Sequence, residues 1–307
     1  MVEVSILIVC YKSKELIEAC LEGVFAHTRD VDFEVLLLDC SNDGTVGLVE
    51  QRFPQVRIVA NNENLGFARG NNRLAEHARG RYLLLLNPDT IVGSNAIGEL
   101  YSTARRYPEA GAVGGRARRA DGSRDPGCRQ TVPSISRLAV AAVGGAKLLN
   151  GALAEEATAP GEVETLSGAF MMVRTDAWRE LNGFDTSYFM FVEELDLCYR
   201  LRNAGYPVLM TPAAEIVHLV GGGNALTSSR VLNMSKARMH FFRKFWSRPQ
   251  VLLAGLVLWG HGAIRFAAGS LGGGLVHWEH GRQLRSAYAT VVLSPSAWWQ
   301  GFSGETP

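Results

Sequence analysis

Long apolar runs alternate with stretches of helical periodicity in the first 90 residues of the chain. Residues 4–10 (VSILIVC) are apolar and β-branched without the alternation of a half-exposed strand, which predicts a parallel strand covered on both faces. Apolar residues between Leu16 and Val24 recur at helical spacing, which predicts a helix. The pattern continues with predicted strands at 34–38, 56–59 and 82–86 and a helix at 68–79. Strand and helix therefore alternate, as in a doubly wound, Rossmann-like α/β sheet with flanking helices.

Polar residues follow these predicted strands where each strand ends. They are Tyr11, Asp39, the segment 61–64 and the segment 87–89. In open α/β sheets, ligands bind beyond the carboxyl ends of the parallel strands. We therefore expect these side chains to line one ligand cleft.

The hydrophobic periodicity that predicts strands and helices is weaker after residue 115. Residues 115–165 are rich in Gly, Ala, Arg and Pro, which predicts irregular structure or a mobile flap. A strand at 165–173, a helix from Thr175 and a turn at Asn182-Gly183 are predicted next. The ordered pattern therefore resumes before the acidic segment that follows the turn.

The composition is that of an ordinary globular protein, with 47% hydrophobic and 20% charged residues. Its 307 residues suffice for one large domain and an appendage. We expect an α/β domain over 1–245, made of halves at 1–115 and 165–225, and a helical extension over 246–307. Lys and Arg number 31 against 30 Asp and Glu, so the charge of the whole chain gives no general attraction to nucleic acid.

The five cysteines form no C-x-x-C pair and no zinc-type spacing. An odd number without such spacing favours free thiols in a reducing cytosol. The chain enters its first apolar strand at Val4 without the basic segment and cleavage site of a secretory signal. We therefore expect a cytoplasmic location.

The segment 36–45 (LLLDCSNDGT) carries Asp39 from a buried strand into a polar turn closed by Gly44. A carboxylate at this position can accept hydrogen bonds from a ribose or a base. The alternative is an Asx turn that only caps the next helix, and the segment by itself favours that alternative. Its position at the exit of the predicted sheet favours the ligand-binding role.

The segment from Asn61 to Asn72 places Gly66 and Gly70 at a predicted helix start. Glycines there let the backbone approach a ligand, and exposed N–H groups suit a diphosphate. The alternative is an ordinary turn, because a glycine-bearing loop is most often only that.

Asn87-Pro88-Asp89-Thr90 directly follows four leucines. A carboxylate at the mouth of a water-poor cleft needs a partner. A Mg²⁺ or Mn²⁺ ion that bridges Asp89 and diphosphate oxygens would supply one. The alternative is a helix cap or a surface turn.

Three carboxylates follow a tight aromatic run within residues 189–201 (FMFVEELDLCYRL). Apolar surroundings and like-charged neighbours raise the pKa of a carboxyl group, which suits a base that takes a proton from a hydroxyl. On a helix, Glu193, Asp196 and Arg200 share one face, so a salt-bridged face is the alternative for those three. Glu194 points elsewhere and is the preferred base, with Glu193 as the second candidate.

His218 ends a predicted strand just before the glycines at 221–223. A lone histidine is usually structural. Its position after the acidic run and before a flexible loop makes it a candidate second metal ligand.

Together these segments resemble the family 2 glycosyltransferases with the GT-A fold, and most closely their rhamnosyltransferase-like branch in polysaccharide assembly. The resemblance covers roughly residues 4–245 and depends on the order of the motifs. The motifs are VSILIVxY, DxSxDGT, NxGFAxGNN, LLNPDT, SGAFMMVR, GFDxxYFMFxEExDLCYRL and IVH.

The resemblance implies a role for each matching residue. It implies a divalent cation, Mg²⁺ or Mn²⁺, held by His218 and by Asp89, the last acid of a D-x-D motif whose first acid is replaced by Asn87. Glu194 stands where the family's catalytic pair usually has an aspartate. The implied donor-binding residues are Tyr11, Asp39, Asn42, Asn64, Gly66, Phe67, Asn71 and Asn87, and the implied acceptor-side residues are Gly168, Asp196 and Arg200.

The implied reaction is the inverting transfer of one sugar from a nucleoside diphosphate to a hydroxyl of a saccharide or lipid-linked saccharide. The branch favours dTDP-rhamnose as the donor. The rival functions are a nucleotidyltransferase and a nucleotide-sugar-binding protein without transfer. The second acidic cluster argues against both, and the sparse glycine after the first strand argues against a pyrophosphorylase.

Residues 251–260 (VLLAGLVLWG) are wholly apolar, but His261 and Arg265 interrupt them before the roughly 20 residues of a spanning helix are complete. Basic and aromatic residues surround this run, as in helices that lie on an anionic membrane. The expected location is therefore peripheral, on the cytoplasmic face of the plasma membrane. The alternative is a helical pair that packs on the α/β domain or on a second copy of the chain in a homodimer.

Overall fold

The computed structural model describes residues 1–61, 63–125, 131–142, 158–219, 226–275 and 279–302. Its contacts divide the chain into two units, which we call the sheet unit and the helical unit. The sheet unit comprises Met1–Val132, Glu156–Thr186 and Glu194–Gly221, and the helical unit comprises Pro133–Glu155, Ser187–Glu193 and Gly222–Pro307. The helical unit therefore begins earlier than the predicted boundary at residue 246.

Nine strands form one mixed sheet within the described residues. They are β1 (Val4–Cys10), β2 (Phe33–Asp39), β3 (Arg57–Ile58), β4 (Tyr82–Leu86), β5 (Thr90–Ile91), β6 (Ala112–Arg119), β7 (Gly161–Glu162), β8 (Phe170–Arg174) and β9 (Val208–His218). Their order is β3-β2-β1-β4-β8-β6-β9-β5, and β7 also pairs with β9. Strands β1 to β4 are parallel, whereas β8 runs antiparallel to β4 and β6.

The helices, in chain order, are α1 (Ile17–His27), α2 (Thr45–Arg52), α3 (Gly66–His77), α4 (Ala96–Arg106), α5 (Ile135–Ala142), α6 (Thr175–Glu180), α7 (Glu193–Asn203), α8 (Ser228–Phe245), α9 (Arg248–Leu275), α10 (Glu279–Leu293) and α11 (Ser296–Trp299). Helices α5 and α8 to α11 belong to the helical unit. The predicted mixed α/β sheet with flanking helices and a carboxyl-terminal helical region is therefore confirmed.

Both faces of the sheet are covered by apolar side chains. On β1, Ile6 and Ile8 belong to one buried cluster, and Leu7 between them belongs to the other. On β4, Leu84 and Leu83 divide in the same way. Alternate residues point to opposite faces of a strand, so a strand buried on both sides is apolar at nearly every position. The exception on β1 is Ser5, which is buried and whose hydroxyl donates to Glu34 Oε1 (2.8 Å).

Local pattern predicts most element bounds of the sheet unit. Strands β1 and β4 have the predicted bounds, and α3 begins two residues before the predicted 68. The strand predicted from 165 begins only at Phe170, because Ser167 O accepts a hydrogen bond from Phe170 N (3.4 Å) in a turn.

The prediction of irregular structure over 115–165 is partly wrong. Strand β6 continues to Arg119, α5 occupies Ile135–Ala142, and β7 lies at Gly161–Glu162. These elements are regular although their sequence has weak periodicity. Residues 126–130 and 143–157 of the predicted flap lie outside the described residues.

The helical unit packs its helices around buried tryptophan. Trp298 is fully buried, and its indole N–H donates to Val291 O (3.0 Å). A Cβ at Gly255 would lie 2.5 Å from the ring of Trp299, so α9 approaches α11 closely at this glycine. Arg243 Nε also donates to Trp299 O (3.0 Å). These contacts join α8, α9 and α11.

Helix α9 does not end at the polar residues that interrupt its apolar run. Arg265 Nε donates to His261 Nε2 (2.8 Å) one turn earlier, so the two side chains satisfy each other along the helix. Arg248–Leu271 has a mean hydropathy of 1.6 and is, among the described residues, the one segment that could cross a membrane by length and composition. The apolar run is therefore part of a longer helix than its sequence pattern predicted. Exposed leucines such as Leu252 and Leu256 stand along this helix.

Candidate functional site

Asp39 ends β2 and shapes the turn that follows it. Its Oδ1 accepts hydrogen bonds from Ser41 N (3.1 Å) and Ser41 Oγ (2.8 Å), and its Oδ2 accepts one from Asn42 N (3.0 Å). The Asx-turn alternative is thus present in the structure. Asp43, not Asp39, contacts the first residue of α2, because Asp43 Oδ1 accepts from Thr45 N (3.0 Å), and the N-cap residue Gly44 has no side-chain cap. The turn leaves Asn42 exposed in a left-handed conformation, with φ 54°.

Tyr11 follows β1 beside this turn. Strands β1 and β2 are in register through Cys10 and Asp39, and Lys12 N donates to Ser41 Oγ (2.8 Å). The carboxyl ends of β1 and β2 are therefore held next to each other by hydrogen bonds. The ring of Tyr11 is 53% exposed and offers a flat apolar face on which a base could stack.

The loop before α3 is hydrogen-bonded to the carboxyl end of β2. Asn61 Nδ2 donates to Asp39 O (3.0 Å) and also to Glu63 O. Asn64 Oδ1 accepts from Gly66 N (3.1 Å), and Gly66 has φ +69°. A left-handed residue at this position is unstrained only as glycine. The predicted glycine turn at a helix start is therefore present.

Two predicted donor-side residues on α3 lie in packed surroundings. The half-buried ring of Phe67 contacts that of Phe184, with ring centroids 5.7 Å apart. Asn71 is 1% exposed, and its Nδ2 donates to Phe67 O (3.0 Å). Asn71 thus stabilises the first turns of the helix and has little surface available to a ligand in this structure.

Asp89 and His218 come together at the end of the sheet. The two-residue strand β5 pairs with β9 so that Thr90 lies opposite His218, and Leu219 N donates to Asp89 O (2.8 Å). His218 Nε2 lies 3.3 Å from Asp89 Oδ1, and His218 Nδ1 lies 3.0 Å from Asp125 Oδ2. One imidazole therefore faces a carboxylate on each side.

The Asp89–His218 pair fits a divalent cation. His218 Nε2 is buried and makes no well-aligned hydrogen bond, although Asp89 Oδ1 is 3.3 Å away. Adjacent ligands of an octahedral ion with bonds of about 2.1 Å lie about 3 Å apart, which matches this separation. No cluster of three or more His, Cys, Asp or Glu suited to a metal occurs in the described part of the chain. Two protein ligands would thus leave the remaining positions to diphosphate oxygens and water.

The surroundings of His218 also change its protonation. Burial alone would lower its pKa, but the facing carboxylates of Asp125 and Asp89 outweigh burial and raise the pKa to about 9. Two carboxylates therefore hold a positive charge at this position. A divalent cation bound by Asp89 and His218 would replace the proton on Nε2.

The acidic run forms the start of α7. Glu193 and Asp196 are buried, at 3% and 0% exposure, whereas Glu194 is partly exposed. Desolvation raises the pKa of Glu194 above its ordinary value. Of the two candidate bases, Glu194 has the surface through which a hydroxyl could approach.

The backbone before these acids is strained. Phe191 and Val192 have φ angles of 73° and 72°, a left-handed conformation that costs a non-glycine residue about 1–3 kcal/mol. Such strain concentrates at functional sites. It occurs here immediately before the two candidate bases.

Gly168 links the acidic run to the end of β4. Asn87 N donates to Ala169 O (3.1 Å) at the exit of β4. A Cβ at Gly168 would lie 3.9 Å from Glu194 Cβ and 2.9 Å from the ring of Phe67. The segment that contains Gly168 and Ala169 therefore touches both the Asn87-Pro88-Asp89 turn and the candidate base. Glu194 lies at the same end of the sheet as Asp89.

Residues 5–181 match the model of the family described as "Glycosyl transferase family 2". This chain belongs to that family. The match includes Asp39 and Asp89 and ends before Glu194 and His218, so the roles of the last two depend on their geometry.

Two relatives of this family 2 chain are named as a rhamnosyltransferase and as a polysaccharide synthase. The chain is 37% identical over 202 residues to a Mycobacterium tuberculosis protein named N-acetylglucosaminyl-diphospho-decaprenol L-rhamnosyltransferase, which covers 60% of this chain and 66% of the relative. It is 28% identical over 225 residues to a Staphylococcus aureus poly-beta-1,6-N-acetyl-D-glucosamine synthase, which covers 71% of this chain and 50% of that relative. The chain thus spans just under two thirds of the first relative and half of the second.

Solved glycosyltransferases share the fold of this family 2 chain. A mannosyltransferase from Pyrobaculum calidifontis in complex with GDP-Man and Mn²⁺ aligns with a TM-score of 0.58 and 16% identity, over 96% of this chain and 86% of that chain. GalNAc-T7 with UDP, GalNAc and Mn²⁺ aligns with a TM-score of 0.56 and 14% identity, over 72% of this chain and 43% of that chain. These likenesses establish the GT-A fold.

Two predicted acceptor-side residues of this family 2 chain form an internal anchor. Arg200 Nε donates to the fully buried carboxylate of Asp196 (2.5 Å), and its two terminal nitrogens donate to Leu181 O and Gly183 O (2.7 Å each). Part of the salt-bridged-face alternative is thus present. The pair ties α7 to the turn after α6.

Residues outside the predicted set also hold the site of this family 2 chain together. Asn72 pairs with the backbone of Phe184, donating to its O (2.8 Å) and accepting from its N (2.9 Å). Asn72 thereby joins α3 to the Gly183-Phe184-Asp185 segment before the acidic run. The adjacent asparagines Asn71 and Asn72 in the sequence could have suggested such a role. Asp125, which lies beside His218, was also missed. Asp125 lies in the segment of weak periodicity, where no sequence signal marked it.

Proposed function

We propose that this chain is an inverting glycosyltransferase that moves one sugar from a nucleoside diphosphate to a hydroxyl of a lipid-linked saccharide. The observation that carries the proposal is the presence of the Asp89–His218 pair and the partly exposed, desolvated Glu194 at one end of the sheet. A donor diphosphate and an acceptor hydroxyl need a cation site and a base respectively.

Glu194 is the base in this proposal. Its carboxylate takes the proton of the acceptor hydroxyl while the oxygen attacks the anomeric carbon of the donor sugar. The bond between that carbon and the diphosphate oxygen breaks, and the nucleoside diphosphate leaves with the electron pair. One displacement inverts the configuration at the anomeric carbon. Proton transfer to a positioned side chain contributes about 10²–10⁴-fold to rate.

Asp89 and His218 would hold a Mg²⁺ or Mn²⁺ ion in this proposal. A bound ion of this kind neutralises the charge that develops on the leaving diphosphate. The Mn²⁺ in the two solved relatives of the same fold supports the assignment. His218 Nε2 is directed at Asp89, so one nitrogen and one carboxylate oxygen of this chain would hold the ion.

The residues that follow β1 and β2 would hold the nucleoside. The exposed ring of Tyr11 offers a stacking face, and the turn of Asp39 exposes Asn42 beside it. Asn64 and Gly66 present the start of α3 on the diphosphate side. The polar groups of Asp39 are largely used within its turn, so its contribution is to hold the turn in shape.

The donor in this proposal is dTDP-rhamnose. Support comes from the name of the mycobacterial relative, an L-rhamnosyltransferase whose acceptor is a diphospho-decaprenol saccharide. Purified full-length chain, Mn²⁺ and a short-chain polyprenyl-diphospho-N-acetylglucosamine would be incubated with dTDP-rhamnose, UDP-glucose, UDP-N-acetylglucosamine or GDP-mannose. Release of nucleoside diphosphate with a mass gain of one deoxyhexose on the acceptor is expected only with dTDP-rhamnose. Donor binding without any product would instead identify a nucleotide-sugar-binding protein.

The proposed location is the cytoplasmic face of the plasma membrane, with α9 lying on the bilayer. Leu252 and Leu256, at 55% and 54% exposure, stand on the same side of α9, one helical turn apart. An apolar helix face near basic residues favours an anionic membrane surface.

Flotation with vesicles that contain anionic lipid would test this location. The double variant Leu252→Glu/Leu256→Glu should no longer float, whereas Arg73→Glu should float as wild type does. Arg73→Glu changes the net charge by the same two units at an exposed position of α3. Equal flotation of all three proteins would contradict membrane contact through this face. Wild type that resists extraction by alkaline carbonate would show that α9 spans the bilayer.

A further inference from the structure

A hairpin at the end of β6 brings a carboxylate to His218. Gly122 N donates to Arg119 O (2.9 Å), and Arg119 N donates to Ser123 O (2.8 Å). Gly122 has φ +80°, a conformation that glycine adopts without strain. The chain turns back at this point, and Asp125 N donates to Ala117 O (2.9 Å). Asp125 therefore returns alongside β6.

Strand pairing explains why the returning residue meets His218. Strand β6 runs parallel to β9, with Ala117 opposite Ile216 and Arg119 opposite His218. A residue that pairs back onto β6 near Ala117 thus lies close to the end of β9. There, Asp125 Oδ2 lies 3.0 Å from His218 Nδ1.

A second contact holds the hairpin against β9 without using the histidine. Arg118 Nε donates to Glu215 Oε1 (2.8 Å), and Arg118 Nη1 donates to Gly122 O (3.2 Å). Arg118 thereby joins the hairpin turn to the body of β9. The Asp125–His218 contact is therefore an additional contact at the strand end rather than the sole attachment of the hairpin.

The two nitrogens of His218 have different environments. Nδ1 has the carboxylate of Asp125 at hydrogen-bonding distance, and Nε2 faces Asp89 without a well-aligned hydrogen bond. A proton held on Nδ1 by a carboxylate leaves the lone pair of Nε2 for a metal ion. The same contact fixes the orientation of the ring and raises the basicity of the ligating nitrogen.

We propose that Asp125 is a positioning residue that holds the imidazole of His218 with Nε2 directed at Asp89, and that it thereby sets the affinity of the site for a divalent cation. The inference rests on the cation site of the proposed function. It assigns to Asp125 no contact with the ion or with substrate. Loss of such an orienting partner typically weakens metal binding about 10–100-fold.

Mn²⁺ binding to the full-length chain tests the inference without a transfer assay. Free Mn²⁺ would be measured by electron paramagnetic resonance during titration, with Mn²⁺ alone and with UDP or dTDP present. Asp125→Asn should raise the Mn²⁺ dissociation constant about 10-fold. His218→Ala should raise it at least as much. The double variant Asp125→Asn/His218→Ala should bind no more weakly than His218→Ala, because residues that act through one another are not additive.

Glu215→Gln is the matched control. It weakens the Arg118 contact of the same hairpin while leaving Asp125 and His218 intact. Mn²⁺ affinity of this variant should equal that of wild type. Thermal unfolding of the metal-free proteins should show similar midpoints for Asp125→Asn and Glu215→Gln. Wild-type Mn²⁺ affinity in Asp125→Asn, or an equal loss in Glu215→Gln, would overturn the positioning role.

The inference and the proposed function fail in different ways. Wild-type affinity in Asp125→Asn beside weak binding in His218→Ala would refute only the role of Asp125. Absence of Mn²⁺ binding by the wild type with either nucleotide would refute the cation site and the positioning role together. Sugar transfer by such a protein would still leave Glu194 as the base to be tested.

Discussion

Gly168 and Glu194 lie so close together that a methyl group added at Gly168 would reach van der Waals contact with Glu194 Cβ. A Cβ at Gly168 would lie 3.9 Å from Glu194 Cβ and 2.9 Å from the Phe67 ring. A separation of 2.9 Å is shorter than van der Waals contact between carbons, so the ring or the segment that carries Gly168 must move. Residues at this junction therefore determine where the proposed base stands.

Gly168→Ala is expected to reduce kcat about 10-fold or more while the protein stays folded, because small misplacements of reacting groups carry large rate penalties. Steady-state kinetics and thermal unfolding would measure the two effects. Gly161→Ala is the control, since a Cβ at Gly161 has no neighbour within 4 Å. Equal kcat in both variants would show that the junction does not position the base.

Glu194→Gln is expected to lower kcat at least 100-fold with little effect on donor binding, because it removes the base and keeps the shape of the side chain. Glu193→Gln should act mainly on stability, since Glu193 is 3% exposed. Transfer rates and donor dissociation constants would be compared. A larger loss of kcat in Glu193→Gln than in Glu194→Gln would make Glu193 the base.

The raised pKa of Glu194 predicts how kcat changes with pH on the acidic side. Glu194 accepts a proton only when it is ionised, so kcat should fall as the pH is lowered through its pKa. Desolvation raises that pKa above the ordinary 4.5, so the midpoint of the acidic limb should lie above 4.5. Folding would be followed by circular dichroism over the same range. An acidic limb at or below pH 4.5 would contradict desolvation of the base.

Asp89→Ala is expected to abolish transfer and to leave the fold intact, because Asp89 is one of two proposed cation ligands. Chelation by EDTA should inactivate the wild type, and added Mn²⁺ should restore the wild type but not the variant. Asp32→Ala is the control, since Asp32 is 78% exposed near the amino terminus. Full activity of wild type in EDTA would contradict a cation requirement.

Glu34 predicts a pH-dependent contribution to stability away from the site. Its side chain is 8% exposed and pairs with Arg57 and Arg79. Burial alone would raise its pKa, but hydrogen bonds from Arg79, Ser5 and Arg57 outweigh burial and lower the pKa below 4.5. A lowered pKa in the folded state gives stability that is present above the ordinary pKa and is lost as the pH falls through the folded value.

Glu34→Gln should therefore lower the free energy of unfolding by about 2 kcal/mol at pH 7, and the difference from wild type should shrink below pH 4.5. Urea unfolding at several pH values would measure it. Glu76→Gln, which breaks the exposed Arg73–Glu76 pair, should change stability by less than about 1 kcal/mol. A difference for Glu34→Gln that persists at low pH would refute the ionic contribution.

Sequence pattern predicts the parts of the fold that depend on local burial. Residues 4–10, apart from Ser5, and residues 82–86 are apolar, and their strands have the predicted bounds because each is covered on both faces. The turns at Asp39 and Gly66 were also predictable, since their side-chain and backbone preferences are local. Local pattern also nominated Asp89, Glu194 and His218 separately, but only the order of the family motifs grouped them into one site.

Contacts between distant segments could not be predicted in the same way. The pairing of β5 with β9 involves two residues of β5, too few for a periodic signal. Asp125 follows a hairpin in a segment of weak periodicity, and its partner His218 is recruited through strand pairing. Of two adjacent asparagines, Asn72 rather than Asn71 bonds to the backbone of Phe184. Which of the two does so depends on the face that α3 turns toward its neighbours.

The two-residue strand β5 makes the Asp89–His218 contact dependent on a strand that is much later in the sequence. Its partner lies at the end of β9, so Asp89 and His218 meet only after β9 has joined the sheet. A polypeptide synthesised only as far as β4 would contain Tyr11 and Asp39 of the proposed nucleoside site, yet it would lack His218. Any fragment that stops short of β9 would therefore keep Asp89 without its histidine partner, so the proposed cation site depends on the completed sheet.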